Sequence, residues 1–300
     1  MNTLPGRAEG HLLGIVLVIL STLAFSLAGI LTKAIAADTW TILTWRGLVG
    51  GLLIAAYAAW LGRRKPLSQR FRLGWRGWLL ATVGSLSSIA FIAAFKQTYV
   101  ANVALIYATA PFLAAALGWL VMRERVRPRT LAAALVSCLG IAVIFSGGLR
   151  AGSLTGDALA LAMTFGSALY MVLIRKFADT PVVLAGGAAA LQLFVAGWFV
   201  VDPLAVSRHD AVLLGLFGLA FAVAVVLWTE GTRRIPAAES GLLGCAETPF
   251  AALLAWWLLA ELPPAASFRG GAVVLAAVLI HAGWDMRSGY VLRRQAKLRT

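Results

Sequence analysis

The chain contains the stretch Ala110-Pro111-Phe112-Leu113-Ala114-Ala115, followed by Trp119-Leu120, and a similar stretch returns 138 residues later. The second copy reads Thr248-Pro249-Phe250-Ala251-Ala252-Leu253, followed by Trp257-Leu258. Each copy leads into an acidic residue, Glu124 in the first and Glu261 in the second. Chance matching between Ala- and Leu-rich helices is the alternative explanation, but Pro, Phe and Trp are scarce enough to favour a true internal repeat.

The composition around these two stretches is typical of a membrane protein. Of the 300 residues, 61% are hydrophobic and 13% are charged, and the mean hydropathy is +0.87. Soluble domains average about 45–50% apolar and about 25% charged residues. A spanning helix needs about 20 mostly apolar residues, so ten spans use about 200 residues and leave no room for a large aqueous domain. We therefore expect an all-α membrane protein.

Ten hydrophobic segments are predicted, each bounded by charged residues, Pro or Gly. They lie near residues 11–34, 39–61, 75–95, 99–122, 130–147, 156–174, 181–201, 211–229, 237–260 and 268–286. Only Lys96, Gln97 and Thr98 separate the third segment from the fourth, which predicts a tight helical hairpin. Twenty of the 26 Lys and Arg residues fall on one side of this topology and five on the other. The positive-inside rule then predicts that both termini are cytoplasmic.

The internal repeat makes the fourth and ninth spans equivalent. It divides the chain into a first five-helix repeat at residues 1–150 and a second at residues 151–300. Because five is an odd number, the second repeat must enter the membrane in the opposite orientation. Inverted repeats are typical of secondary transporters, in which the two halves move around a site near the midplane. We therefore expect two inverted five-helix repeats around a central cavity.

These features together resemble the drug/metabolite transporter superfamily, and within it the EamA-type ten-helix exporters. The resemblance implies a basket of helices around a central cavity and export of small metabolites, with the amino-acid exporters as the branch we favour. Multidrug or nucleoside-type exporters of the same fold are the alternative. The residues that carry the resemblance are Arg46, Pro111, Glu124, Glu247, Pro249 and Glu261. Other members have the acid of the ninth span directly before its proline, whereas Thr248 intervenes here, which turns Glu247 by about 100° on a helix.

Arg46 and Glu247 are the two charged residues deep within the predicted spans. Ionisable groups in a bilayer are costly and are therefore functional candidates. The planar guanidinium of Arg46 can bind a substrate carboxylate; alternatively, it pairs with backbone carbonyls or reaches toward Asp38 at the outer face. Glu247 can bind a substrate ammonium group or a coupling proton; alternatively, it makes a structural hydrogen bond or a salt bridge, for example with Arg46.

Pro111 and Pro249 are expected to break the fourth and ninth spans, because proline removes a backbone donor and frees a carbonyl four residues earlier. A kink that serves only packing is the alternative. Asn102, Tyr107, Thr109 and Thr248 lie around these breaks and complete the predicted substrate-binding set with Arg46 and Glu247. Under the repeat, Tyr107 and Thr109 correspond to Cys245 and Glu247. The two half-sites are therefore chemically unlike, which suits an asymmetric ligand with separate charged ends.

Sequence motifs that are typical of hydrolytic enzymes, zinc proteases and ATPases are missing from the sequence. The three histidines are His11, His209 and His281, and neither H-E-x-x-H nor G-x-S-x-G nor a Walker-type motif is present. We therefore expect no enzyme activity, no cofactor and no metal site. The basic residues are scattered between apolar runs, which argues against nucleic-acid binding. The expected partners are a small-molecule substrate and membrane lipids, in an inner membrane, with the chain as a monomer or homodimer; a passive channel is the alternative of another class.

Overall fold

The computed structural model describes residues 5–63, 72–123, 128–151, 153–235 and 237–298. Within these ranges all regular structure is helical, and no strand is present. The helices are α1 (Pro5–Ala34), α2 (Thr39–Leu61), α3 (Gly74–Gln97), α4 (Val100–Tyr107), α5 (Ala110–Met122), α6 (Pro128–Ala151), α7 (Leu154–Lys176), α8 (Val182–Trp198), α9 (Arg208–Thr232), α10 (Ala237–Gly244), α11 (Glu247–Leu259) and α12 (Ala265–Leu298).

Most of these helices are long and apolar enough to cross a bilayer. In the described part of the chain, seven spans meet that standard when α4 and α5 are taken as one, and three shorter apolar helices begin at Val182, Glu247 and Ala265. Large apolar side chains cover the outside, as with Leu120, which is 69% exposed, and Trp257, which is 77% exposed. Such a surface is stable against lipid rather than water. The chain is therefore a multi-pass membrane protein.

The fourth and ninth predicted spans are both broken, and in the same way. In each, an eight-residue helix and a 13-residue helix are separated by two residues, at 108–109 and at 245–246. Both 13-residue helices end at a non-glycine residue in the left-handed region, Arg123 with φ 56° and Ala260 with φ 50°. This shared pattern supports the sequence repeat. Glu124, which the repeat pairs with Glu261, lies outside the described residues.

The helix packing also repeats when the two halves are exchanged. Helix α1 packs on α9 as α7 packs on α3, and α2 packs on α9 as α8 packs on α3. Helix α1 packs on α11 as α7 packs on α5, while the pairs α2–α8 and α6–α12 map onto themselves. This correspondence does not depend on residue identity, so it is independent support for two similar halves.

Helices α6 and α12 cross closely at a pair of glycines. A Cβ atom on Gly140 would lie 2.7 Å from the carbonyl oxygen of Gly270. Small residues allow such close backbone approach between helices in a membrane. A cavity of about 570 Å³ lies beside this pair and is lined by Val143, Ser146, Gly147, Pro264, Ala265, Ala266 and Arg269. The predicted substrate-binding residues are not among those lining it.

Candidate functional site

Arg46 lies on α2 in the middle of a three-helix contact, and its side chain is only 4% exposed. Its guanidinium donates a hydrogen bond to the hydroxyl of Ser88 on α3. It also lies over two rings of α9, 4.7 Å from the centre of Phe221 and 5.5 Å from that of Phe217. Gly50 makes room for this arrangement, because a Cβ atom there would lie 2.8 Å from the Phe221 ring. Aromatic faces attract a desolvated cation by about 2 kcal/mol, so the guanidinium is held in place.

No carboxylate neutralises Arg46 within the described ranges. Asp38 instead caps α2, where its Oδ1 accepts from the backbone N–H groups of Trp40 at 2.7 Å and Thr41 at 3.1 Å. Burial of the carboxyl raises the pKa of Asp38, but these bonds and one from the Thr41 hydroxyl outweigh it, so the pKa lies below its usual value. An Arg46–Asp38 pair is therefore not formed.

Glu247 is the first residue of α11 and stands at the break of the ninth span. Its side chain is partly buried, and no described residue makes a hydrogen bond or ion pair with its carboxylate. Its backbone carbonyl accepts a hydrogen bond from Ser26 of α1 at 3.2 Å. The Tyr107 phenol, at the end of α4, lies within electrostatic range of the carboxylate. The alternative of a salt bridge between Glu247 and Arg46 is not realised.

The two threonines and the two prolines of the predicted site lie at the helix breaks. Pro111 is the second residue of α5 and Pro249 the third residue of α11, in first turns where a missing N–H costs little. The Thr109 hydroxyl donates to the carbonyl of Ile106 at 2.6 Å, within the fourth span. The Thr248 hydroxyl donates to the carbonyl of Ala104 at 3.2 Å and so joins the ninth span to the fourth. Both hydroxyls are buried and already bonded to backbone.

Asn102 lies in a cluster that the sequence reading did not predict. Its amide donates to Oδ1 of Asp157 at 2.9 Å, and the Thr98 hydroxyl donates to the same oxygen at 2.5 Å. Asn102 and Asp157 are both 0% exposed. Sequence reasoning placed only Arg46 and Glu247 deep in the spans, but Asp157 is also fully buried. The sequence feature that could have identified Asp157 is an acidic residue in the first turn of an otherwise apolar segment.

Polar contacts tie α1 to the second half at both of its ends. Lys33 pairs with Glu261 at 2.9 Å, and Glu261 also accepts from the backbone N–H of Val100. At the other end, His11 contacts Glu239 of α10 at 3.0 Å. Both contacts join elements that the repeat places in different halves.

The side chains of the candidate site offer charges that can bind a ligand rather than groups that can make or break covalent bonds. Arg46 presents a buried guanidinium in the first half, and Glu247 presents, in the second half, a carboxyl group that has no bonded partner among the described residues. In the part of the chain that the structure describes, no group of three or more His, Cys, Asp or Glu side chains could hold a metal ion. A guanidinium is suited to bind a carboxylate, and a carboxylate is suited to bind an ammonium group.

Comparisons with known proteins give the fold and a family match over part of the chain. Residues 12–146 match the EamA-like transporter family. Among 25 solved chains that match, one described as "Crystal structure of protein" has 21% sequence identity and a TM-score of 0.63. That match covers 92% of this chain and 97% of the solved one, so the fold is shared along nearly the whole length. None of the curated proteins compared with the chain matches it.

Proposed function

Because residues 12–146 carry an EamA-like transporter family domain, we propose that the chain is a secondary transporter that exports small metabolites by alternating access. We propose amino acids as the substrates and an inner membrane with cytoplasmic termini as the location. Multidrug or nucleoside-type export by the same fold is the second candidate. The family match supports transport of small molecules across a membrane rather than enzyme activity.

The observation that carries the amino-acid proposal is the buried, unneutralised guanidinium of Arg46. A charged group without an opposite charge costs several kcal/mol at membrane depth. Phe217, Phe221 and Ser88 hold the guanidinium in place but leave its charge uncompensated. A substrate carboxylate supplies both the missing charge and acceptors that match the planar donors of arginine. Binding of a carboxylate would therefore lower the free-energy cost of burying the Arg46 charge in the substrate-free protein.

Glu247 supplies the opposite charge from the other half of the chain. Its carboxylate stands at a helix break, with Tyr107 nearby and no bonded partner within the described ranges. An ammonium group is the complementary ligand. An amino acid carries both a carboxylate and an ammonium group, so it fits a pair of half-sites that differ in charge.

The two similar halves support alternating access. The broken spans and the exchangeable packing pairs support a division into repeats at residues 1–150 and 151–300. We propose that these repeats are inverted, because each holds five spans. In that arrangement the two halves exchange conformations, and a site between them opens to each face in turn.

Counterflow in proteoliposomes tests the proposal. The purified chain is reconstituted with unlabelled amino acids inside, and radiolabelled amino acids are added outside, one at a time. A carrier shows saturable uptake that internal substrate accelerates, whereas a passive channel shows high flux without saturation. A parallel panel of drugs and nucleosides separates the second candidate. Saturable counterflow of drugs or nucleosides, with none of amino acids, would replace the amino-acid proposal.

A further inference from the structure

A second polar cluster lies at the junction of α3, α4 and α7 and is formed by Thr98, Asn102 and Asp157. The two hydrogen-bond donors of this cluster converge on one atom, Oδ1 of Asp157. The other carboxylate oxygen, Oδ2, and the amide oxygen of Asn102 are both buried and have no hydrogen-bond partner among the described residues. Two acceptors in one buried cluster therefore lack a donor from the described part of the chain. Native proteins rarely leave buried polar atoms in this state.

No described side chain neutralises Asp157. Arg76 on α3 and Arg175 and Lys176 on α7 lie at the far ends of those helices. Lys96 lies two residues before Thr98, and Lys33 lies 5.9 Å from the ring centre of Tyr99; both lysines are engaged elsewhere. Lys33 pairs with Glu261 at 2.9 Å, and Lys96 donates to the carbonyl of Ile35 at 2.6 Å. A fully buried carboxylate with no opposite charge is costly in protein and more so at membrane depth.

The carbonyl end of α3 lies beside the cluster and brings further oxygen atoms close to it. Helix α3 ends at Gln97, and Thr98 is fully extended, with φ −142° and ψ −178°. The carbonyl end of a helix carries a partial negative charge and unsatisfied oxygens. Gly156 lets α7 approach that end closely, because a Cβ atom there would lie 2.7 Å from the Gln97 carbonyl oxygen. The cluster thus joins a carboxylate, an amide oxygen and a hydroxyl next to a helix carboxyl end, and all are hard oxygen donors.

We propose that Thr98, Asn102 and Asp157 form the binding site of a monovalent coupling cation, H⁺ or Na⁺. Either cation gives the unpartnered oxygens of Asn102 and Asp157 the positive partner that they lack. The inference rests on the proposed function, since coupling needs a transport cycle. Binding of the cation itself is a separate property.

Helix α4 links this cation site to the proposed substrate site. Asn102 lies near the start of α4 and Tyr107 is its last residue, so about 7.5 Å of helix joins them at 1.5 Å per residue. The carbonyl of Ala104, between them, accepts the hydrogen bond from Thr248. A cation that fixes the start of α4 therefore also fixes the position of Tyr107 beside Glu247.

The test measures cation binding without any substrate. Thermal unfolding of the full chain in detergent is compared in sodium chloride and in choline chloride at equal ionic strength, and then over a range of pH in choline chloride. We expect the wild type to be stabilised by several degrees by Na⁺ or by acidification, since a ligand that binds only the folded state raises its stability. In Asp157→Asn the response is lost, because the neutral amide brings its own donors. A sodium response identifies Na⁺ as the ligand, and an acid response in choline identifies H⁺.

Asp210→Asn is the matched control. Asp210 is also a buried acid in the first turn of a span, but it already accepts a hydrogen bond from the backbone N–H of Ala36. This variant should respond as the wild type does. Should Asp157→Asn fail to fold, Asn102→Ala serves in its place; it keeps the carboxylate and should need about tenfold more cation for the same stabilisation.

Equal responses of wild type and Asp157→Asn, or no response of the wild type to either cation, would overturn the cation site. Amino-acid counterflow can fail while this response persists, so failure of the substrate proposal is distinguishable from failure of the cation site.

Discussion

The substitution Arg46→Met separates a binding role of the guanidinium from a packing role. Methionine has a similar length but no charge. The variant loses a hydrogen bond to a charged group, about 1.5–3 kcal/mol, and two cation–π contacts of about 1–2 kcal/mol each. It also escapes a desolvation penalty of several kcal/mol. These effects nearly cancel, so we expect thermal stability to change by less than about 2 kcal/mol, or a few degrees.

Amino-acid transport should respond far more strongly than stability. Loss of one partner of a buried charge pair costs about 2–5 kcal/mol in binding, which is about 30-fold to several thousandfold in half-saturating concentration at 1.36 kcal/mol per tenfold change. The assay is counterflow in proteoliposomes over a range of amino-acid concentrations. Arg269→Met, at an exposed arginine of α12, is the control and should change neither quantity. An unchanged half-saturating concentration in Arg46→Met would refute the reasoning, as would a stability loss above about 4 kcal/mol, which would identify a packing residue.

Three further predictions concern the second charge, a helix cap and a helix crossing. Glu247→Gln should lower amino-acid counterflow about tenfold or more at normal expression, whereas Glu239→Gln on the neighbouring α10 should not; equal loss in both would contradict the role of Glu247. Asp38→Ala should cost about 1 kcal/mol of stability, the usual value for a helix cap. Hydrogen bonding lowers the pKa of Asp38 in the folded protein. The contribution of Asp38 to stability is therefore complete above its unfolded pKa of about 3.9 and is lost as the pH falls through the lower folded value. Thermal melts in which Asp38→Ala equals the wild type above about pH 4 would disprove this prediction. Gly140→Ala should cost about 1–3 kcal/mol by overpacking against Gly270, whereas Gly186→Ala, with open space around it, should be neutral in the same thermal melts.

Much of the fold follows from local sequence. The described helices agree with the predicted segments to within a few residues for α2 and α3, and only Thr98 and Tyr99 separate α3 from α4, as the short connection in the sequence predicts. Hydropathy predicts spans well because lipid requires every backbone group to be bonded within its own helix. The repeat of Pro, Phe and Trp also predicted that the fourth and ninth spans are alike. In each span a two-residue break precedes a 13-residue helix.

The candidate site was predictable only in part. The free-energy cost of burying charge identified Arg46 and Glu247 as unusual residues. It did not predict which side chains surround them. Asn102, predicted as a substrate ligand, donates a hydrogen bond to Asp157, a contact that the sequence did not predict. The sequence did not predict a buried Asp157, because an acidic residue near the end of a predicted span usually lies at the membrane interface. Only the packing of α7 against α3 and α4 buries it.

The sequence by itself determined that this is a multi-pass helical protein, because transfer of apolar side chains into lipid is a property of each segment alone. Only the tertiary structure decided which charges lack partners. Asp157 meets Thr98 across 59 residues of chain, and the Arg46 guanidinium meets the Phe217 and Phe221 rings from another helix. Those contacts depend on the rotation and depth of helices that are distant in sequence, and no local pattern encodes them.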